Sequence, residues 1–332
     1  MTAASGVGSL PGSDQRAYSE WLRVVLGEFA EPPHVAFLPE VPGRGVAAGM
    51  IGRTLGLITE VGIDLQPAGW RMTDAAGVDH RRARSLLAQD LDGLEELAQE
   101  REGAFKVQIA GPWTLAATVE KPRGDKVLSD VGARRDLAQS LSLAVGEHVA
   151  DLRRRLPRGD RLIVQVDEPA LPAVLAGKVP TASGFGRHRT VHPPEASETL
   201  TGLFEAISAA GAHPWVHSCA DDAPLDLLRG AGATGLAVDL DRIGAAGHNV
   251  LAEALDAGEW VMLGVLPSAD DVTSPDDGAV VTRVLRWLDS LGLDMAEVGE
   301  RLVVSSSCGL AGATGSAKSL LRQAHRVADH LS

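Results

Sequence analysis

Eight short apolar runs recur along the chain, and most are followed by a turn and a longer segment with helical periodicity. Runs that are apolar at nearly every position are typical of parallel strands buried on both faces. The runs are residues 6–11, 34–38, 105–110, 162–166, 214–216, 235–238, 260–266 and 302–306. Eight strand–helix units are the number in a closed (β/α)8 barrel, so we predict an α/β fold of the TIM-barrel type.

The length of 332 residues suits one such barrel, so residues 1–332 are predicted to form a single domain. An open doubly wound sheet is the alternative, but no GxGxxG motif follows the first run to indicate dinucleotide binding. Residues 61–80 do not follow this alternation of apolar runs and helical segments. They are expected to form a hairpin or loop over one end of the barrel. The stretch 169–195, rich in Gly, Pro and Arg, is long for a βα loop and is expected to act as a lid.

The charge balance restricts the partners. A net charge of −13 and a pI of about 5.2 argue against nucleic acid and anionic membranes, since both bind basic surfaces. The chain has no apolar run long enough to span a membrane, and its first residues do not resemble a signal peptide, so a cytoplasmic location is expected. In that reducing compartment Cys219 and Cys308, the only two cysteines, suit metal binding or catalysis better than a disulfide.

The fifth run leads into His217 and Cys219. Residues two apart in a strand point to the same face, so this imidazole and thiolate can converge on one point and suit Zn²⁺. Cys308 follows the last run, and the carboxyl ends of all barrel strands meet at one rim, so it is the predicted third ligand. Asp239, at the end of the sixth run, is the best candidate for the fourth ligand. Asp241 is the alternative.

Other polar residues also follow the predicted strands. Ser9, Glu40, Asp167 and Glu168 stand at or just past strand ends. Active sites of this fold are built at that rim, so these residues are candidates for function. Glu168 precedes a proline and also fits a simple turn.

The order of these motifs resembles the catalytic C-terminal barrel of the cobalamin-independent methionine synthase family. The matching segments are residues 6–11, 69–70, 110–114, 165–171, 217–219 and 308–310. The resemblance covers nearly the whole chain. It implies a short, single-domain member that transfers a methyl group to the thiol of homocysteine and so forms methionine.

The resemblance also implies roles for individual residues. His217, Cys219 and Cys308 match the zinc ligands of the family. Asp239 stands where the family has a glutamate ligand and is one methylene shorter.

The same comparison assigns the substrate contacts. Gly8 and Ser9 match the turn that binds the homocysteine carboxylate. Asp167 matches a residue that binds the α-amino group, and Glu40 is assigned to that role as well. Asp167 and Glu40 are therefore the candidate catalytic residues.

Two departures from the family concern the methyl donor. In the family, a segment after the seventh strand carries a histidine proposed to protonate the leaving folate. The matching segment here, residues 266–271, reads Leu-Pro-Ser-Ala-Asp-Asp and has no histidine. The chain also has no room for the second, N-terminal barrel of full-length members. A methyl-corrinoid is therefore favoured over methyl-folate, and a corrinoid carrier protein is a candidate partner.

Two alternative functions stay open. A decarboxylase similar to uroporphyrinogen decarboxylase would have a related barrel without metal, but it needs basic residues and the predicted rim is acidic. A barrel that binds zinc or an amino acid without turnover would keep the same ligands.

Overall fold

Ten strands form two sheets in the computed structural model, which describes residues 1–332. In chain order they are β1 (Ala3–Ala4), β2 (Ala36–Phe37), β3 (Gly62–Gln66), β4 (Gly69–Thr73), β5 (Ala104–Ala110), β6 (Arg161–Asp167), β7 (His213–Ser218), β8 (Gly235–Asp239), β9 (Trp260–Leu266) and β10 (Leu302–Ser306). Eight of them form a parallel sheet in the order β1-β10-β9-β8-β7-β6-β5-β2. Strands β3 and β4 form an antiparallel hairpin.

Backbone hydrogen bonds join the two edges of the parallel sheet. The N–H of Val35, just before β2, donates to the carbonyl of Ala4 in β1 at 2.9 Å. Beyond the strand ends, Ser9 and Glu40 form a parallel bridge. The sheet therefore closes on itself, and the predicted single-domain TIM barrel is confirmed.

Helices connect the strands and cover the outside of the barrel. They are α1 (Gln15–Glu28), α2 (Met50–Leu57), α3 (Val78–Ala98), α4 (Pro112–Thr118), α5 (Val131–Arg155), α6 (Leu171–Leu175), α7 (Pro193–Ala209), α8 (Leu225–Gly230), α9 (Ala245–Asp256), α10 (Asp277–Leu291), α11 (Met295–Val298) and α12 (Ala317–His330). No helix is both long enough and apolar enough to cross a membrane.

Alternation along the strands separates the barrel interior from the helix-packing surface. In β5, Phe105, Val107 and Ile109 belong to the large core shared with the surrounding helices. A smaller cluster fills the barrel interior; it consists of Ala3, Val7, Val35, Ile163, Trp215, Ala237, Met262 and Val303. Several buried residues nearer the carboxyl rim are polar, among them Gln108, Asp167 and His217, so the candidate site lies at that end.

The first predicted strand is wrong. Residues 6–11 were expected to form it, but the structure has β1 at Ala3–Ala4, and residues 6–11 form an extended turn beyond that strand. Gly8 explains the difference, because its φ of +152° is unfavourable for side chains and an added Cβ would lie 2.7 Å from the Gln108 amide. The other seven runs coincide with strands.

The two stretches that do not follow the alternation of strands and helices, residues 61–80 and 169–195, form local structures. Residues 61–80 contain the β3–β4 hairpin, as expected. The stretch 169–195 contains α6 and an antiparallel bridge between Pro180 and Arg187. Asp125 ties this stretch to the preceding loop, because its carboxylate accepts a hydrogen bond from the N–H of Ala182 at 3.3 Å. Its action as a lid stays a prediction.

Buried His148 on α5 is expected to make stability depend on pH. Burial lowers the pKa of His148 from 6.5 to about 4. Between these values the unfolded chain binds a proton that the native state excludes, so the free energy of unfolding falls as pH falls. The loss is about 2 kcal/mol between about pH 7 and about pH 5. Urea unfolding of the metal-free protein at the two pH values measures it.

Comparison with a His148→Leu variant isolates this contribution, because the variant should lose that part of the pH dependence. A His330→Leu variant is the control, since His330 is exposed, and it should retain the wild-type dependence. An unchanged pH dependence in His148→Leu would contradict the assignment.

Candidate functional site

Three predicted metal ligands meet at the carboxyl rim of the barrel. A ring nitrogen of His217 and the sulfurs of Cys219 and Cys308 all lie within 4.8 Å of one another. Strands β7 and β10, which lead into the two cysteines, are separated in the sheet by β8 and β9. The curvature of the closed barrel brings the cysteines together across the rim.

Hydrogen bonds orient His217 toward this group. Its Nδ1 lies 2.9 Å from Oδ1 of Asp167, and its Nε2 is buried without a hydrogen-bond partner. A carboxylate on one ring nitrogen is the usual support of a metal-binding histidine, because it fixes the tautomer and leaves the other nitrogen for the metal. The unpartnered Nε2, on a histidine that clusters with two thiols, therefore fits a metal ligand.

The two thiols interact directly. The sulfurs of Cys219 and Cys308 are 2.9 Å apart, and both residues are half-buried. The hydrogen bond from Cys219 lowers the pKa of Cys308 to about 6, and the same bond together with burial raises the pKa of Cys219. The metal-free pair thus favours one thiolate, and loss of the second proton is expected to accompany metal binding.

Local irregularity at the end of β10 positions Cys308. The register with β9 shifts between Ser305 and Ser306, and this bulge redirects the chain at the rim. The hydroxyl of Ser306 then donates to the Cys308 carbonyl at 2.8 Å. Gly309 allows the close approach of Ser9, since a Cβ at residue 309 would clash with the Ser9 hydroxyl.

The structure does not bring Asp239 into the metal-ligand group. It ends β8 as predicted, but its Oδ1 accepts a hydrogen bond from the N–H of Asp241 at 3.0 Å, and its Oδ2 lies 3.3 Å from Nε of Arg242. Asp241 is exposed and pairs with Arg283. Neither aspartate belongs to this group, because Asp239 contacts residues of its own turn and Asp241 pairs with Arg283 on α10.

Three of the predicted substrate-binding residues, Gly8, Ser9 and Glu40, lie together at the rim beside the segment that carries Cys308. The N–H of Glu40 donates to the Gly8 carbonyl at 3.0 Å, and the N–H of Leu10 donates to the Glu40 carbonyl at 2.7 Å. The N–H of Leu310 donates to the Ser9 carbonyl at 2.7 Å. These bonds join the Gly8–Ser9 turn both to Glu40 and to the segment that carries Cys308.

Glu40 is buried at this turn next to a cation. Its Oε1 lies 3.5 Å from Nε of Arg53, on α2. Burial raises the pKa of Glu40 to about 7, although Arg53 acts in the opposite direction. A further cationic group in the site would favour the ionised form of Glu40.

A series of side-chain hydrogen bonds that was not predicted from the sequence connects the Gly8–Ser9 turn with His217. Lys106 donates from Nζ to Oε1 of Gln165 at 2.7 Å and to the Val7 carbonyl at 3.0 Å. Gln165 donates from Nε2 to the Val7 carbonyl at 3.0 Å and to Oδ1 of Asp167 at 2.8 Å. Burial lowers the pKa of Lys106 to about 7. These hydrogen bonds thus connect the Gly8–Ser9 turn to Asp167 and, through Asp167, to His217.

Glu168 has a structural role. Its carboxylate accepts hydrogen bonds from the N–H groups of Trp113 and Thr114 at 2.9 and 2.8 Å, and from the Thr114 hydroxyl at 2.6 Å. These groups lie in the first turn of α4, so Glu168 satisfies helix donors that have no partner within the helix.

A second cluster of possible metal ligands, His34, His325 and Asp329, lies near the amino end of β2. The N–H of Ala4 donates to Nδ1 of His34 at 3.2 Å. The proton of neutral His34 is therefore on Nε2, the nitrogen that faces Asp329 at 3.5 Å, so no lone pair is directed into the cluster. This cluster does not fit a metal.

Comparisons with known proteins support the fold. No protein-family model matches the chain, and no curated protein matches it. Among solved structures, a GH5_18 protein from Streptomyces cattleya in complex with GlcNAc has a TM-score of 0.52 at 14% identity, over 99% of this chain and 80% of that one. A likeness at this identity concerns the barrel alone.

Other solved structures are less similar. Methylaspartate ammonia lyase from Clostridium tetanomorphum has a TM-score of 0.45 at 10% identity, and the match covers 100% of this chain but only 58% of the lyase. The complex structure of a GH113 beta-1,4-mannanase has a TM-score of 0.44 at 10% identity, over 99% of this chain and 97% of that one.

Proposed function

We propose that the protein is an enzyme, a zinc-dependent methyltransferase that transfers a methyl group to the thiol of homocysteine or a related small amino-acid thiol. Two observations carry this proposal: a ring nitrogen of His217 lies within 4.8 Å of the sulfurs of Cys219 and Cys308, and the Nε2 of His217 is buried without a hydrogen-bond partner. One imidazole and two thiolates are a typical donor set for zinc, and three protein ligands leave a position for substrate.

The bound ion would have a defined task. His217, Cys219 and Cys308 would hold the ion, which would act as a Lewis acid toward the substrate thiol and lower its pKa, so that a thiolate would be available near neutral pH. Two cysteinates would offset the 2+ charge of the ion, which would keep electron density on the substrate sulfur. Asp167 supports this arrangement by holding His217 through Nδ1.

The Gly8–Ser9 turn, together with Asp167 and Glu40, would bind the amino-acid end of the substrate. The Gly8–Ser9 turn offers backbone N–H groups and a hydroxyl for the carboxylate. Both hydrogen bonds to Asp167 fall on Oδ1, so Oδ2 is open to accept from the ammonium. Glu40 supplies a second carboxylate for the ammonium. Fixed positions for both ends of the substrate hold its sulfur in line with the methyl group of the donor.

Charges at the rim disfavour the decarboxylase alternative. Such an enzyme needs free basic groups for an acidic substrate. The buried cations near the rim are already used, since Arg53 pairs with Glu40 and Asp90, and Lys106 bonds to Gln165.

Zinc-edge X-ray absorption with and without homocysteine tests the proposal. We expect one zinc per chain with two sulfur ligands, rising to three sulfurs when homocysteine is added. Methionine formation is then measured with methylcobalamin and, separately, with methyl-tetrahydrofolate. A protein without zinc, or a zinc shell that ignores the thiol, would overturn the proposal. Thiol binding without methionine from either donor would favour a binding barrel without turnover.

A further inference from the structure

Gln108 is the one buried polar side chain of the inner β5–β6 surface without a hydrogen bond. It is only 7% exposed, and both Oε1 and Nε2 are buried without a partner. The neighbouring inward side chains Lys106, Gln165 and Asp167 are all hydrogen-bonded. A buried amide costs free energy unless its donor and acceptor are satisfied, and an apolar side chain of the same size avoids that cost. The amide of Gln108 is therefore expected to form its hydrogen bonds with a bound ligand.

The surroundings of Gln108 indicate what that partner is. An added Cβ on Gly8 would lie 2.7 Å from Nε2, so the amide faces the turn assigned to the substrate carboxylate. Gln108 is in register with Gln165 on β6, the strand that ends at Asp167. On its other side, β5 pairs with β2, which leads to Glu40. The amide thus lies among the turn and the two carboxylates assigned to one amino acid.

We propose that Gln108 binds the amino-acid end of the thiol substrate. Its Nε2, on the Gly8 side, donates to the α-carboxylate, and its Oε1 accepts from the α-ammonium. An amide matches this pair of groups because it presents one donor and one acceptor side by side. This inference rests on the proposed function and adds a specificity-determining residue to it, because a thiol without both groups leaves part of the amide unsatisfied.

The same substitution at two glutamines tests the proposal. Gln108→Met keeps the volume but removes both polar atoms, so the metal-free variant should be at least as stable as the wild type in urea. Gln165→Met is the matched control and should be less stable, because Gln165 makes three hydrogen bonds. Equal destabilisation of the two variants would overturn the proposal, since it would mean that the Gln108 amide supports the fold itself.

Binding to the zinc-loaded proteins gives the second measurement. By calorimetry, Gln108→Met should weaken homocysteine binding about 10- to 100-fold, because hydrogen bonds to charged groups are lost, and zinc content should not change. The loss should be smaller for γ-mercaptobutyrate, which lacks the ammonium, and for homocysteamine, which lacks the carboxylate. An equal loss for all three thiols would overturn the assignment.

The outcomes separate this inference from the function on which it rests. If the wild type binds homocysteine and Gln108→Met binds it equally well, the role of Gln108 is wrong and the proposed function stands. If the wild type binds neither homocysteine nor another small amino-acid thiol such as cysteine, the proposed function is overturned, and the assignment of Gln108 falls with it.

Discussion

Cys219→Ser and Cys308→Ser variants are each expected to purify without stoichiometric zinc. A serine hydroxyl does not ionise near neutral pH and is a poor zinc ligand, so each change removes one of three protein ligands. If roughly a third to a quarter of a typical zinc-binding free energy belongs to each ligand, the loss is about 3–5 kcal/mol, or more than about 100-fold in affinity. Metal analysis of the purified variants and competition with a chelator measure it.

Asp239→Ala is the control for these variants. Its carboxylate lies at the rim but bonds to Asp241 and Arg242 rather than facing the cysteines, so this variant should bind zinc as the wild type does. Urea unfolding of all three metal-free proteins excludes loss of the fold as the cause. Full zinc occupancy in either cysteine variant would show that the zinc is held elsewhere.

Much of the barrel could be predicted from the sequence. Parallel strands buried on both faces need apolar residues at nearly every position, and seven of the eight expected runs coincide with strands, 260–266 and 302–306 with the same bounds. The prediction of a strand at residues 6–11 was wrong because Val7 and Leu10 lie in a glycine-containing turn. Their apolar character reflects burial in that turn and not a strand.

The proximity of the three candidate metal ligands was predictable for a similar reason. His217 and Cys219 share a face by strand alternation, and the barrel brings Cys308 to the same rim. Asp239 satisfied the same rule but makes local turn contacts that sequence position alone does not distinguish from metal binding.

The supporting residues needed the structure. Lys106, Gln108 and Gln165 alternate with apolar neighbours, and this pattern could have marked them as inward-facing. The hydrogen-bond partners of Lys106 and Gln165 are up to 158 positions away in the sequence, however, and no local pattern encodes that the amide of Gln165 is satisfied while that of Gln108 is not. Arg53 lies on a helix away from any strand end and gave no signal at all.

Asp90→Ala is expected to destabilise the fold by about 3–5 kcal/mol, because it leaves two buried cations without their partner. Asp90 is fully buried on α3. Its carboxylate accepts two hydrogen bonds from Arg44, at 2.8 and 2.7 Å, and one from Arg53 at 2.6 Å. Urea unfolding of the variant and the wild type measures the loss.

The loss should extend to the candidate site, because Arg53 also lies 3.5 Å from Glu40. Without Asp90, Arg53 is expected to pair more closely with Glu40 and so compete with the substrate ammonium for that carboxylate. Homocysteine binding by any Asp90→Ala protein that folds should therefore be weaker, while its zinc content is unchanged.

Asp92→Ala is the matched control on the same helix. Asp92 pairs with Arg155 at 2.9 Å, but its side chain is 69% exposed, so its loss should cost less than about 1 kcal/mol. Equal stability of the Asp90 and Asp92 variants would contradict the buried network. Such a result would mean that water reaches Arg44 and Arg53, and that Glu40 does not depend on this network for its position at the rim.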